Sequence, residues 1–251
     1  MKKSVVLIGV GEMGGVFARG FLRLGYSVSP VVRGVDISQL AKEIANPELV
    51  LVAVGEADLQ TVLETMPANW RDSLVLLQNE LLPGDWQKHG LHPTVISVWF
   101  EKKKGQDAKV LIPSPVYGSK SQLIHDALEQ VDIPCKILDN EAALLFELVV
   151  KNVYIVTTNV AGLKTGGTVG ELWSDHRDLA NRISHEVITI QQALTGQNFD
   201  ADKLIDAMVI AFNGDLDHKC MGRSAPARLQ RALDQARKFS LNVPEISAIS
   251  N

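Results

Sequence analysis

The chain has 251 residues and a mass of 27.4 kDa, which suits one large domain or two small ones. Apolar residues make up 46% and charged residues 22%, a globular composition that excludes a disordered chain. The net charge of −4 and the pI near 5.9 predict no nucleic-acid partner. Uninterrupted apolar runs are shorter than the ~18 residues of a membrane span, which predicts no membrane partner either.

Cysteine usage and the N-terminus indicate a cytoplasmic protein. The two cysteines, Cys135 and Cys220, are too few for a disulfide framework and are typical of a reducing compartment. The N-terminal Met1-Lys2-Lys3 and the apolar run over 5–10 resemble a signal peptide, but the run is short and breaks at Glu12 within a glycine loop. We therefore interpret this run as a strand.

The first half of the chain alternates short apolar runs with stretches of helical periodicity. In chain order the predicted elements are strand 4–8, helix 12–24, strand 28–33, helix 38–45, strand 49–54, helix 59–66, strand 73–78, strands 95–100 and 109–113, helix 119–131 and strand 135–138. Strands that alternate with helices predict parallel pairing and right-handed crossovers, and so a doubly wound Rossmann α/β domain over 1–139. The lysine-rich segment 101–105 is interpreted as a solvated hairpin turn, with an anion-binding segment as the alternative.

The second half carries only helical patterns. Asn140 is a good N-cap for a helix that begins near Glu141. The predicted helices cover 140–163, 172–194, 203–212 and 227–239. We therefore expect an all-helical domain over 140–251.

A glycine-rich loop joins the first strand to the first helix. The sequence Gly9-Val10-Gly11-Glu12-Met13-Gly14 has the G-x-G-x-x-G spacing, in the strand–turn–helix context that dinucleotide binding requires. Gly9 permits the tight turn, Gly11 lets the backbone approach a diphosphate, and Gly14 lets the helix pack closely on the sheet. This reading requires the Glu12 carboxylate to point away from the phosphates. The alternative is a tight turn that binds no ligand.

The end of the second strand indicates which dinucleotide is bound. An NAD site usually has Asp or Glu at this position, to hold the ribose 2′-hydroxyl. This chain has Arg33, a planar cation suited to a 2′-phosphate, and Asp36 is interpreted as a turn or cap residue. The sequence therefore predicts NADP as the cofactor, with a solvated strand end as the alternative for Arg33.

These motifs, together with the helical second half, resemble the ketopantoate reductase (2-dehydropantoate 2-reductase) family. That family joins a Rossmann domain to a helical domain of the 6-phosphogluconate dehydrogenase type. The segment 76–80, Leu-Leu-Gln-Asn-Glu, resembles the family's Q-N-G sequence, which implies that Gln78 and Asn79 lie at the cofactor. Val54 and Gly55 are expected there too, although the family often has a lysine at the position of Gly55. Further segments that resemble the family are 168–172, 186–196, 222–224 and 239–244.

The resemblance is weaker at the positions that carry catalysis. The family has a lysine on the first helix of its helical domain that protonates the developing alkoxide, and an asparagine one turn later that binds substrate. Aligned on residues 148–150, these positions hold Glu147 and Lys151, while the family's glutamate near the cofactor is replaced by Pro226. We expect Lys151 to act as the acid from a cleft between the domains, oriented by Glu147. The alternative is a surface Glu–Lys pair.

Three functions are compatible with these residues. The first is an NADP-dependent reductase of a small 2-oxo acid or related carbonyl compound, whose substrate need not be ketopantoate. The second is a non-catalytic NADP-binding sensor or scaffold, and the third is a structural oligomer with a vestigial nucleotide site. We expect a small-molecule carbonyl as partner, a possible homodimer through the helical domain, and no metal, since His218 and Cys220 lack further ligands.

Overall fold

The computed structural model describes residues 3–249 and forms two compact units, with the division between Glu147 and Leu148. That division falls within a helix, Glu141–Thr165, whose first residue lies close to the predicted domain boundary at 139. The strand expected at the N-terminus is present from Ser4 to Ile8, whereas Met1 and Lys2 lie outside the described residues.

The first unit is built on a seven-stranded sheet. Its strands are β1 (Ser4–Ile8), β2 (Ser27–Val31), β3 (Leu49–Val52), β4 (Leu74–Leu76), β5 (Thr94–Ile96), β8 (Ser114–Tyr117) and β9 (Cys135–Ile137), and a separate hairpin is formed by β6 (Phe100–Glu101) and β7 (Lys109–Val110). Its helices are α1 (Glu12–Arg23), α2 (Ile37–Glu43), α3 (Leu59–Glu64), α4 (Gly84–Gln87) and α5 (Ser121–Glu129), with 3₁₀ turns at Glu56–Asp58 and Ala68–Ser73. The four residues of β3 are all buried, as expected of a parallel strand covered on both faces.

The order of the strands confirms the Rossmann-type prediction. The sheet runs β2-β1-β3-β4-β5-β8-β9, and the first five strands are parallel. The chain starts at β1 and then builds outward in both directions, so the connections after β1 and β3 leave on opposite sides. In a doubly wound sheet this switch point opens a crevice at the carboxyl ends of the strands.

One pair of strands departs from the predicted parallel sheet. β5 and β8 are antiparallel, because the β6–β7 hairpin connects them where a crossover helix would otherwise lie. The prediction of a strand over 109–113 was therefore wrong in extent, since only Lys109 and Val110 pair and they do so in the hairpin. The sheet strand over 114–117 was missed because Pro113 and Pro115 argue against a central strand in the sequence.

Helix α1 packs closely on its neighbours in the first unit. Phe17 and Phe21 are fully buried on its sheet-facing side. A Cβ added at Gly20 would collide with the backbone carbonyl of Ala127 on α5, so glycine permits the close approach of these two helices. The position of α1 in turn fixes the glycine loop that precedes it.

The second unit is all-helical, as predicted. It contains most of α6 (Glu141–Thr165), together with α7 (Val169–Asp175), α8 (Arg177–Thr195), α9 (Ala201–Gly214), α10 (Ala225–Lys238) and α11 (Pro244–Ile249). The predicted single helix over 172–194 is instead two helices. A capping box between Thr168 and Glu171 starts α7 at Val169, three residues before the predicted start. The first helix then ends at Asp175, because His176 has a non-helical φ of −129°.

Helix α6 is the longest helix in the described part of the chain, and most of its residues are apolar. It is long and apolar enough to cross a membrane, and 72% of its most apolar window is buried inside the protein. Burial of this kind is typical of the core helix of a globular domain. Glu147 and Lys151 are the charged residues in its middle.

Candidate functional site

The glycine loop is held by the ends of three strands. The Gly9 amide donates to the Val31 carbonyl at the end of β2 (3.0 Å), and the Ala53 amide donates to the Ile8 carbonyl (2.7 Å). Gly9 has φ +93°, and a Cβ there would lie 2.6 Å from the Ala53 oxygen. Only glycine fits this position without strain.

The other two glycines of the motif have different surroundings. A Cβ at Gly14 would collide with the Gly9 carbonyl oxygen, so this glycine permits α1 to start close to the strand ends. A Cβ at Gly11 would meet no protein atom within 4 Å. Gly11 is the N-cap of α1 and has no side chain to satisfy the first amides of the helix. Its bare backbone therefore faces open space, at the positive end of the helix.

A cavity of about 610 Å³ lies at the carboxyl ends of β1, β2 and β3. It is where the switch point of the sheet places a ligand crevice. Six of the predicted cofactor residues line it: Gly9, Val10, Gly11, Arg33, Val54 and Gly55. Asp58, Thr61 and Val62, on the 3₁₀ turn and helix that follow β3, also line it and were not predicted.

The walls of the cavity combine exposed apolar side chains with one cation. Val10, Val32 and Val35 are 46%, 48% and 38% exposed, so this wall offers apolar surface that a ligand could cover. The Arg33 side chain is 99% exposed, and its guanidinium lies 3.9 Å from the Asp58 carboxylate. At this exposure the ion pair contributes little to stability, so the guanidinium is available to a ligand.

Glu12 and Met13 do not line the cavity. Glu12 is the first residue of α1, and its carboxylate accepts a hydrogen bond from the Lys102 ammonium (3.3 Å). Met13 is half-buried and packs against the core of the first unit. The dinucleotide prediction requires the Glu12 carboxylate to point away from the phosphates. In the structure this carboxylate has the Lys102 ammonium beside it.

Gln78 and Asn79 also lie outside the cavity wall. The buried Gln78 amide donates to the carbonyls of Val52 (2.8 Å) and Val54 (3.3 Å), so it ties the end of β4 to the end of β3. Gln78 thereby positions the Val54–Gly55 segment of the cavity. Asn79 is exposed, and the next residue, Glu80, has φ +58°, a conformation that favours glycine.

Lys151 lies half-buried on α6 in the second unit. Burial lowers its pKa to about 7, and the positive charge of Arg228 on α10 lowers it further. Its ammonium lies 5.9 Å from the centre of the Tyr154 ring. A lysine with this pKa is partly deprotonated at neutral pH, whereas an ordinary surface lysine is almost fully protonated there.

Two asparagines that follow Lys151 along α6 are held by hydrogen bonds. Asn152 donates to the Gln191 side chain (2.9 Å) on α8. Asn159 donates to the Cys220 carbonyl (2.9 Å) and accepts from the Arg228 guanidinium (2.8 Å). Both asparagines therefore have structural roles, and Asn159 fixes the position of Arg228.

Glu147 lies one turn before Lys151 on the same helix. Burial raises its pKa, and the nearby Lys136 acts in the opposite direction. The charge that acts on Glu147 is therefore Lys136, while the charge that acts on Lys151 is Arg228. That Glu147 orients Lys151 stays a prediction.

Several solved structures of other proteins have the same fold as this chain. No protein-family model matches the chain, and no curated protein matches its sequence. Similar solved structures include a dimeric ketopantoate reductase from Staphylococcus aureus (TM-score 0.66, 17% identity, 98% of this chain and 96% of that one) and a 2-dehydropantoate 2-reductase from Methylococcus capsulatus (0.69, 14%, 98% and 94%). D-mandelate dehydrogenase with NADH is also similar (0.69, 13%, 98% and 96%). The protein therefore has the fold of the ketopantoate reductases, and at these identities the likeness concerns the fold.

Proposed function

We propose that the protein is an NADP-dependent oxidoreductase that reduces a small 2-oxo acid or a related carbonyl compound by hydride transfer. The observation that carries this proposal is the cavity at the carboxyl ends of β1, β2 and β3, where a bare glycine backbone and the Arg33 guanidinium line one space. The fold shared with ketopantoate reductases and with an NADH-bound dehydrogenase supports the same class of reaction.

The residues of the cavity suit a dinucleotide. The open space at Gly11 leaves its backbone accessible to a diphosphate, and the Arg33 guanidinium can pair with a 2′-phosphate. Exposed valines at positions 10, 32 and 35 offer apolar surface to an adenine ring. When bound, the nicotinamide group supplies the hydride.

Lys151 supplies the proton in this proposal. Reduction of a carbonyl places negative charge on its oxygen, and a nearby ammonium both stabilises that charge and can protonate it. With its pKa lowered to about 7 by burial, Lys151 holds a transferable proton at neutral pH. Glu147 would act as a positioning residue for this ammonium.

A panel of 2-oxo acids tests the reaction. We expect the protein to bind NADPH more tightly than NADH and to oxidise NADPH with at least one member of the panel. The absorbance of NADPH reports turnover, and fluorescence titration reports binding without substrate. Binding without turnover across the panel would contradict the reductase, and absence of binding would contradict the whole proposal.

A non-catalytic NADP-binding sensor is the second candidate function. Pro226, in the first turn of α10, stands where the resemblance places a glutamate near the cofactor, and proline has no group that titrates. Tight NADPH binding with no turnover of any carbonyl compound favours this alternative over the reductase.

A further inference from the structure

The β6–β7 hairpin is fixed against helix α1. Phe100 of β6 is 5% exposed, and its ring lies 6.1 Å from the ring of Phe17 on α1. The lysine-rich segment 102–104 directly follows β6. Packing of Phe100 therefore holds the start of this segment beside the helix that opens at the glycine loop.

Lys102 differs from Lys103 in its surroundings. The Lys102 side chain is 12% exposed, and its ammonium lies 3.3 Å from the Glu12 carboxylate and 2.9 Å from the Lys103 carbonyl oxygen. The Lys103 side chain is 61% exposed and pairs with Glu101 within the hairpin (3.0 Å). Lys102 thus contacts α1, while Lys103 stays on its own hairpin.

Glu12 has opposite effects on the helix and on a dinucleotide. A carboxylate in the first turn is favourable for α1, because the N-terminal end of a helix is positive. The same carboxylate repels a diphosphate that approaches the amides at Gly11. The Lys102 ammonium, 3.3 Å from the Glu12 carboxylate, offsets that repulsion; its own side chain is mostly buried, while the Glu12 side chain is 46% exposed.

We propose that Lys102 is a positioning residue for the dinucleotide. The Lys102 ammonium binds and neutralises the Glu12 carboxylate, so that the start of α1 accepts a diphosphate. This inference rests on the proposed function, since it concerns the same cavity. It assigns a role to one lysine of a segment that the sequence presents as an ordinary solvated turn.

A double-mutant cycle tests the inference with NADPH as the probe. We expect Lys102→Gln to raise the Kd for NADPH about tenfold, because Glu12 is then unpaired. Glu12→Gln should leave the Kd unchanged or lower it, and Lys102→Gln in that background should change it by less than about twofold. Lys103→Gln is the matched control and should behave as wild type. Lys102→Arg, which keeps the charge, should retain most of the affinity.

Thermal unfolding without ligand separates a folding defect from a binding defect, and the variants should unfold within a few degrees of wild type. An equal loss of affinity from Lys102→Gln in the wild-type and Glu12→Gln backgrounds would overturn the inference, since Lys102 would then act independently of Glu12. Equal Kd values for Lys102→Gln and Lys103→Gln would overturn it too. Both results leave the proposed function intact, whereas a wild-type protein that binds no NADPH overturns the function and the inference together.

Discussion

Among single residues, Gly11 offers a way to separate ligand binding from folding. Gly11→Ala adds a methyl group where no protein atom lies within 4 Å, so we expect a loss of helix-capping stability of at most about 1 kcal/mol. The same methyl group would occupy the space of the diphosphate, and the Kd for NADPH should rise at least about tenfold. Fluorescence titration and thermal unfolding measure the two effects.

Gly15 provides the matched control for that substitution. It is an exposed position on the same helix, and an added Cβ there also meets nothing within 4 Å. Gly15→Ala should stabilise α1 by up to about 1 kcal/mol and leave the Kd unchanged. If Gly11→Ala also bound NADPH normally, the diphosphate would not lie against this loop.

Arg33 and Asp58 should set the choice between NADPH and NADH. Arg33→Ala removes the cation from the cavity wall, so the ratio of the Kd for NADH to the Kd for NADPH should fall to about one. Asp58→Asn removes a carboxylate 3.9 Å from that guanidinium and should raise the preference for NADPH. Titration of each variant with both dinucleotides measures the ratio. An unchanged ratio in Arg33→Ala would remove the reason for preferring NADP.

Lys151 should give the reaction a distinctive pH dependence. Protonated lysine is the form that donates, and its pKa is lowered to about 7 by burial, so kcat for reduction should be level below that pH and fall as the pH rises through it. Lys151→Met should lower kcat at least about 100-fold with a smaller effect on NADPH binding. Lys164→Met, at an exposed lysine in the last turn of the same helix, is the control. Unchanged turnover in Lys151→Met would assign the acid to another group.

At the level of helices and strands, the contact between α1 and α5 gives a prediction about stability. Gly20→Ala would push a methyl group into the Ala127 carbonyl, and relief of that overlap requires the helices to move apart. We expect a loss of about 1–3 kcal/mol in the free energy of unfolding, measured in urea. Gly15→Ala on the same helix is again the control. Equal stability of the two variants would show that α5 moves away without cost.

Elements with local signals could be predicted from the sequence, and those set by distant contacts could not. The glycine loop and β1 were predicted because apolar pattern and glycine spacing are local features. β8 was missed, because Pro113 and Pro115 argue against a central strand and its partners, β5 and β9, come from distant segments. The Lys102–Glu12 contact joins residues 90 positions apart, so no local pattern shows it. The place of Asp58 in the cavity wall could have been predicted from the sequence, because the turn after β3 borders the same crevice.

For the whole molecule, the chain covers 94–96% of the length of three structural neighbours, while its sequence identity to them is 17% or less. We propose a homodimer that forms through the helical unit, where Ile210 and Leu216 are 61% and 52% exposed. Light scattering should give a mass twice 27.4 kDa, and Ile210→Asp should shift the mass toward the monomer. A monomer at all concentrations would contradict the dimer and leave the nucleotide site unaffected.

The conformation of Glu80 has a consequence for how this protein can evolve. The residue stands where the Q-N-G sequence has glycine, and its φ of +58° costs a glutamate about 1 kcal/mol. Codons for glutamate and glycine differ in a single base at the second position. A single base change at position 80 would therefore complete the Q-N-G sequence, and the backbone there already has the conformation that glycine favours.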